Sequence, residues 1–286
     1  MLKNILLAGA ATALLSGAAS AADLPRRAAP PPVFTPVPVF TWTGFYAGLH
    51  SAYAFTENDN IRTRGNTPAT RANVANGFRA ASLNNDVDGF ANVGGGAGVN
   101  FQLTPGTGFV FGAAFDLTWT DLQKNRGFIG APNPNFGGAR NPSVYSQELD
   151  YLGTVNGKLG YAFDRLLVYG TAGLAFGQVN YGANFFSTTG ALQFTGGFDN
   201  RFETGYNYGG GIEYAIPEDS FLSYFAVGKL LGLKADVTIK AEYIRYDLGS
   251  RNVVIGSVAP SVGSYTSRFS TEGSIVRAGF NYKFGG

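Results

Sequence analysis

The sequence predicts an all-β protein, a transmembrane antiparallel eight-stranded up-and-down β-barrel. From residue 42 onwards, apolar residues recur at every second position in eight segments, as they do in strands with one apolar face. The opposite parity holds Gly, Ala, Asn and Thr with few charges. This composition suits a narrow enclosed lumen better than the wet outer face of a soluble sandwich. Glycine accounts for 41 of the 286 residues, and charged residues for only 14%, against about 25% in ordinary soluble domains.

The composition excludes several other classes of protein. Aromatic residues make up 14% of the chain, too many for a disordered protein. Beyond the N-terminal segment, no apolar run approaches the ~20 residues of a membrane-spanning helix. There is no cysteine, and the single histidine, His50, leaves little for a metal centre or a catalytic triad. We therefore expect no catalytic residue, no metal and no cofactor, and the scattered charges, with a net charge of +2, indicate no nucleic-acid partner.

The chain divides into three predicted regions. Residues 1–21 have the features of a secretory signal peptide, because the apolar stretch from Ile5 to Leu15 follows a lysine and precedes small residues suited to cleavage. Residues 22–41 are rich in proline, which lacks the N–H that a strand ladder needs, and are expected to form a periplasmic linker. Residues 42–286 are the predicted outer-membrane barrel.

The predicted strands follow one another along the barrel region. In the clearest segment, Val93, Val99 and Phe101 share a face opposite glycines and asparagines. Aromatic residues near the strand ends match the interfacial girdles of membrane barrels. The eight segments are 42–55, 90–103, 109–121, 148–163, 166–181, 204–216, 237–248 and 271–284.

The connections between these segments alternate in length. The second and fourth, 104–108 and 164–165, are tight turns, whereas the odd-numbered connections are long and polar. Membrane barrels have short periplasmic turns and long external loops, so both termini are predicted to be periplasmic. The sixth connection, 217–236, is long and apolar, and predicts a short helix or irregular segment at the periplasmic rim, or else an extension of its flanking strands. The long connections are 56–89, 122–147, 182–203 and 249–270.

Several short motifs are spread over the predicted mature chain. They are Ala22-Asp23-Leu24-Pro25, Trp42-Thr43-Gly44-Phe45-Tyr46-Ala47-Gly48-Leu49, Gly170-Thr171-Ala172-Gly173-Leu174-Ala175-Phe176-Gly177, Gly211-Ile212-Glu213-Tyr214-Ala215, Lys240-Ala241-Glu242-Tyr243 with Asp247-Leu248-Gly249, and Arg277-Ala278-Gly279-Phe280-Asn281-Tyr282-Lys283-Phe284. In these motifs the chain resembles a known family, the eight-stranded outer-membrane immunogenic and porin-like proteins of alphaproteobacteria. The resemblance implies outer-membrane residence, surface exposure and antigenicity, and some members are linked to haemin binding. It also implies that an aromatic residue near the C-terminus, here Phe284, is read by the barrel assembly machinery.

Charged residues on the inner parity predict an ion-pair network across the lumen. Enclosed charges need partners, so Glu242 is expected to meet Arg277 on the neighbouring strand, and Glu213 to meet Lys240. Such a network is either a structural plug or an ion-selective constriction. The predicted lumen network is Asp116, Lys158, Glu213, Lys240, Glu242 and Arg277, and Glu148, Asp150 and Lys283 are assigned to the same face.

Two further groups of residues are candidates for binding. His50 has inner parity with Trp42 and Tyr46, and is a general base, a haem ligand or a satisfied lumen residue. The first long connection holds four arginines among acidic residues, and is either a patch for lipopolysaccharide phosphates or a host ligand, or a solvated mixed-charge loop. The predicted patch is Arg62, Arg64, Arg71 and Arg79.

The sequence therefore favours a structural surface-display protein of the outer membrane with a largely plugged lumen. The alternative is a small porin-like channel for solutes, and a third reading is haemin or host-ligand binding by the external loops. The expected partners are outer-membrane lipid, lipopolysaccharide and the barrel assembly machinery, and homo-oligomerisation is left open.

Overall fold

The structure, a computed structural model, describes residues 39–56, 60–86, 88–217, 236–258 and 260–284. The predicted signal peptide lies outside the described residues, as do most of the linker and residues 218–235 of the apolar connection. We refer to the end of the barrel near Val39 and Phe284 as the terminal end, and to the opposite end as the loop end.

Eight long antiparallel strands close into a ring, which confirms the predicted barrel. The first strand of the ring pairs with both the second and the last, so that Phe45 lies opposite Phe284 and the sheet has no open edge in the membrane. In chain order the strands are β1 (Gly44–Phe55), β2 (Asn60–Gly65), β3 (Ser82–Asn84), β4 (Asp88–Gln102), β5 (Thr107–Ile129), β6 (Pro142–Phe163), β7 (Leu166–Phe186), β8 (Leu192–Ala215), β9 (Asp236–Ser257) and β10 (Ser264–Phe284).

The first connection adds structure of its own at the loop end. Strand β2 pairs with β10, and β3 pairs with β2, so two short strands extend the sheet beyond the ring. Between them lies helix α1 (Pro68–Ala75), which begins with a capping box between Thr67 and Thr70. A 3₁₀ turn, Pro134–Phe136, lies in the connection after β5. Among the described residues, no helix has the length and hydropathy needed to span a bilayer.

The outer face of the ring is apolar, as the sequence parity predicts. Its exposed side chains include Phe45 and Phe284 towards the terminal end and Tyr53, Trp119 and Phe202 further towards the loop end. In a membrane barrel such side chains face lipid, with aromatic residues at both interfaces. Other exposed members of this face are Leu49, Phe101, Phe111, Phe115, Leu159, Leu174, Tyr208, Ile212, Tyr243, Val276 and Phe280.

The strands run further towards the loop end than predicted. Most of the predicted loops 122–147, 182–203 and 249–270 are strand, and only 130–141, 187–191 and 258–263 connect the strands there. The outer side chains above the apolar belt are mostly polar, for example Gln123, Asn180 and Asn184. Because apolar residues no longer alternate with polar ones here, the sequence pattern does not reveal that these segments are strands.

β-Bulges change which face a residue occupies in this extension. The register between β6 and β7 shifts between Leu149 and Tyr151, so Leu149 is buried inside the barrel. The predicted inner positions of Glu148 and Asp150 are therefore wrong, and both bond to outward amides of β7. One extra residue in a strand turns each following side chain to the opposite face, which explains the error.

Candidate functional site

A layer of charged side chains fills the middle of the lumen. The structure brings all six predicted network residues together there, and each is at most 7% exposed. Three are carboxylates and three are cations, so the layer has no net charge when all six are ionised. The members are Asp116, Lys158, Glu213, Lys240, Glu242 and Arg277.

Asp116 of β5 is the hub of this layer. Lys240 Nζ lies 3.2 Å from Asp116 Oδ1, and Arg277 Nη1 lies 3.8 Å from Oδ2. His50 Nδ1 is a third neighbour, 3.8 Å from Oδ1. These side chains come from β1, β5, β9 and β10, so their contacts cross the lumen as well as joining neighbouring strands.

Glu242 and Glu213 have partners of their own. Lys240 Nζ lies 3.3 Å from Glu242 Oε2, and the Tyr169 hydroxyl donates a 2.8 Å hydrogen bond to Glu242 Oε1. Lys158 Nζ lies 3.8 Å from Glu213 Oε2 and 4.2 Å from the centre of the Tyr169 ring. Each buried charge thus has a neighbour of opposite sign, as burial requires.

The closest contacts differ from the pairing expected from neighbouring strands. Glu242 does lie directly opposite Arg277 in the β9–β10 register, and Glu213 opposite Lys240 in β8–β9. Arg277 and Lys240, however, also contact Asp116, whose strand β5 is not adjacent to β9 or β10 in the ring. A narrow lumen brings opposite walls within reach, and strand pairing alone does not reveal these distances.

Glycines of β4 make room for the layer. A Cβ at Gly94 would lie 2.2 Å from His50 Nε2, and one at Gly96 would lie 2.4 Å from Asp116 Oδ1. A Cβ at Gly98 would lie 2.4 Å from the Tyr46 hydroxyl oxygen. These three inward-facing positions of β4 therefore have to be glycine, because larger residues would overlap the side chains of the charged layer.

An apolar floor lies at the terminal end of the lumen. Trp42 is 1% exposed, and its indole Nε1 donates a 2.9 Å hydrogen bond to the carbonyl of Asp164 in the β6–β7 turn. Phe40 packs edge-on against Trp42, with ring centres 5.2 Å apart. The same cluster contains Val110, Ala162, Leu167, Tyr169 and Ala215.

A larger apolar roof fills the loop end. Its aromatic members pack on one another, as Tyr265 does with Phe185 and Phe194 at 5.1 and 4.9 Å between ring centres. Burial raises the pKa of Tyr145, which lies in this roof beyond the membrane-spanning part, to about 12. Other buried members are Ile61, Leu122, Leu149, Leu152, Val179, Tyr181, Ile244, Tyr246, Leu248, Val253, Ile255, Phe269 and Ile275.

Arg79 anchors the first connection over this roof. The Arg79 side chain is 2% exposed, and its guanidinium donates to the carbonyls of Pro142 at 2.6 Å and Phe186 at 2.7 Å. It also bonds to Ser143 and Gln193 and lies over the ring of Phe185. Burial lowers the pKa of Arg79. This arginine therefore belongs to the packing of the loop end and not to an exposed patch.

The remaining predicted patch residues stay at the surface. Arg62 and Arg64 project from one face of β2, and Arg71 is exposed on α1. Sequence reasoning missed Arg268 of β10, which lies directly opposite Arg62. Arg268 could have been noticed as a basic residue in the segment 249–270, but this segment is predicted to be a loop and not a strand.

His50 has the neighbours of a catalytic base but no access. His50 Nε2 and Thr118 Oγ1 share a 2.8 Å hydrogen bond, while Nδ1 faces Asp116. All three side chains belong to residues at most 4% exposed, between the apolar floor and the roof. This burial favours a structural lumen residue over a base or a haem ligand, but only one ring nitrogen is satisfied, because Nδ1 has no hydrogen-bond partner among the described residues. In the part of the chain that the structure describes, no group of His, Cys, Asp or Glu residues could hold a metal ion.

Comparisons with known proteins point to the outer membrane. No family model matches the chain. The chain is 32% identical to the 31 kDa outer-membrane immunogenic proteins of Brucella melitensis biotype 1 and Brucella suis biovar 1, over 99% of this chain and 100% of each relative.

Among solved structures, the chain is similar to Pseudomonas aeruginosa OprG, at 10% identity and a TM-score of 0.39 over 85% of this chain and 97% of OprG. It is also similar to Neisserial surface protein A, at 12% identity and a TM-score of 0.34 over 85% and 98% of the two chains. Because its 32% identity to the Brucella proteins extends over their full length, the chain belongs to the family of 31 kDa outer-membrane immunogenic proteins.

Proposed function

We propose that this outer-membrane protein is a structural, surface-displayed barrel with a closed lumen. The observation that carries the proposal is the stacking of three filled layers along the barrel: the apolar floor, the neutral charged layer and the apolar roof. An eight-stranded barrel is only wide enough for its own side chains, so filled layers of this kind leave little path for solutes. A small solute channel is the competing function.

The orientation follows from the connections. The described turns at the terminal end, 103–106 and 164–165, are short, whereas the loop end carries β2, α1, β3 and the longer connections. Because outer-membrane barrels have short periplasmic turns, we place both termini in the periplasm and the loop end outside the cell. The Brucella relatives are named for their immunogenicity, which supports display of the loop end. Phe284 at the end of β10 is the proposed signal for the barrel assembly machinery. Cross-linking in vesicles would test whether the barrel associates into homo-oligomers.

Conductance in planar bilayers tests the closed lumen. The purified, heat-modifiable wild-type barrel should leave the bilayer current at its baseline. A matched variant with one large side chain removed from each layer, Trp42→Ala, Arg277→Ala and Tyr265→Ala, should conduct when its folded fraction is reconstituted. Steady ionic current through the wild-type protein would favour the channel.

Epitope insertion tests display and orientation. Gly137 and Gly138, in the connection after β5, have open space around them and positive φ angles of 61° and 83°, as at a loop tip. A tag between them should bind antibody on intact cells. A tag in the turn at Pro105 should bind only after the outer membrane is permeabilised, and the reverse pattern would invert the orientation.

A further inference from the structure

An arginine cleft lies on the outer surface of the loop end. It is formed by Arg62 and Arg64 of β2, Arg268 of β10 and Asn252 of β9, and it encloses about 230 Å³. Thr63 and Thr266 complete its lining. The volume is several times the ~30 Å³ that one water molecule occupies in the liquid, so the cleft has room for a tetrahedral oxyanion.

The strand register places like charges directly against each other. Arg62 is the cross-strand partner of Arg268, and Arg64 stands on the same face two residues along β2. Directly opposite side chains in an antiparallel pair have Cβ atoms about 4.5–5.5 Å apart, and like charges there destabilise the sheet. An anion bound between the guanidinium groups would remove this repulsion.

Other arginines of these strands are neutralised within the protein. Arg245 pairs with Glu272 at 3.2 Å, and Arg251 pairs with Glu203 at 2.6 Å. Among the described residues, no carboxylate lies within ion-pair distance of the three cleft arginines. The cleft therefore combines a concave shape with a charge of +3 from these side chains that no described carboxylate neutralises.

One arginine of the cleft is held in a fixed orientation. Arg268 Nε and Nη2 both donate to Ser250 Oγ, at 3.0 and 2.6 Å. This fixes the guanidinium plane and leaves its remaining N–H groups free to donate elsewhere. A guanidinium offers a planar fork that matches two oxygens of a phosphate group.

We propose that the arginine cleft binds a phosphate group of a multiply charged ligand. The ligand is either a phosphate of the surrounding lipopolysaccharide or a soluble polyphosphate, since both present the same oxyanion. This proposal goes beyond surface display, and its binding test in detergent does not depend on whether the lumen conducts.

Calorimetric titration with inorganic tripolyphosphate tests the cleft in the full-length, folded barrel. Hydrogen bonds to charged groups contribute about 1.5–3 kcal/mol, so Arg62→Gln and Arg268→Gln should each weaken binding by roughly tenfold or more. Arg62→Lys, which keeps the charge but loses the fork, should fall between Arg62→Gln and wild type. Arg71→Gln is the matched control, because it removes the same charge from the same connection without lining the cleft, and it should bind as wild type does.

Two arms separate the sources of the phosphate. Tripolyphosphate binding in detergent free of lipopolysaccharide reports the soluble ligand. Vesicles test the lipid ligand. The wild-type barrel should associate more tightly with vesicles that contain phosphorylated lipopolysaccharide than with vesicles that contain phosphatase-treated lipopolysaccharide, and Arg268→Gln should lose this difference. Absence of wild-type binding in both arms, or an Arg71→Gln loss equal to that of Arg62→Gln, would overturn the proposal.

Discussion

Replacing Asp116 by asparagine removes the hub of the charged layer while keeping the shape of the side chain. The carboxylate of Asp116 contacts Lys240 at 3.2 Å, Arg277 at 3.8 Å and His50 at 3.8 Å. The asparagine amide would leave Lys240 and Arg277 in a layer with an excess positive charge. Because these side chains are almost fully buried, water cannot replace the lost carboxylate.

The geometry sets the size of the effect. At 3.2 Å, the Lys240–Asp116 attraction is worth about 5 kcal/mol for an effective dielectric constant of 20. Much of this attraction offsets the desolvation of the two groups, so the pair adds little net stability compared with an apolar pair. Breaking a buried pair from one side, however, typically costs about 3–5 kcal/mol, which is the loss of unfolding free energy expected for Asp116→Asn.

Urea titration of the barrel in detergent micelles, followed by its heat-modifiable gel migration, measures this loss. The double variant Asp116→Asn, Lys240→Gln restores neutrality with two carboxylates and two cations, and should recover part of the stability. The control pair Asp116→Asn, Arg71→Gln joins the hub to a distant exposed residue and should give additive losses. Additive losses in the Asp116, Lys240 variant as well would refute the reasoning, because they would show that the two groups do not interact.

Three other changes test the packing around the layer and the loop end. Arg79→Met leaves the two buried carbonyls that Arg79 bonds without a donor. Protease should therefore cleave the segment 60–86 faster in a barrel that still migrates as folded, and unchanged cleavage would show that Arg79 is not the anchor. Gly96→Ala pushes a methyl group against Asp116 and should cost about 1–3 kcal/mol, whereas Gly127→Ala, with open space around it, should cost little; equal urea midpoints would contradict this. The raised pKa of Tyr145, about 12, means that the folded state keeps a proton that the unfolded state releases above its ordinary pKa of 10.0. The corresponding stability is present below pH 10 and is lost as the pH rises towards 12, so Tyr145→Phe should show a smaller fall in urea midpoint over that range, and an identical fall would count against it.

The fold and the membership of the charged layer could be predicted because both depend on parity. In the membrane-spanning part, a side chain's face is fixed by counting in twos from an apolar neighbour, which places Asp116, Glu213 and Glu242 inside. Parity fails in the extension towards the loop end, where the strands contain inserted residues. Asn200 and Gly249, with positive φ angles of 54° and 83°, lie at two of these irregularities. The bulge at Asp150 contains no glycine or proline from which it could have been predicted.

The partners within the layer and the arginine cleft could not be predicted, because both depend on which distant segments meet. The Arg62–Arg268 pair exists only because the first connection returns to the last strand and adds β2 to it. The Arg277–Asp116 contact depends on how far the ring is staggered, which local sequence does not encode. In both cases the residue types were visible, and only the long-range register was not.

The neutral charged layer between two apolar layers gives the barrel a defined inside. If the inner parity were apolar along the whole strand, either face could turn to lipid, and a one-residue slip of register would cost little. Carboxylates and cations at inner positions make that slip expensive, because it would place unpaired charges against hydrocarbon. The β4 glycines allow the charges to meet across the narrow lumen, and the apolar floor and roof lie on either side of the layer. The six charges lie on β5, β6, β8, β9 and β10, so they fix which face of these five strands turns inward. This comes at the expense of desolvating six charges, each of which depends on a neighbour of opposite sign.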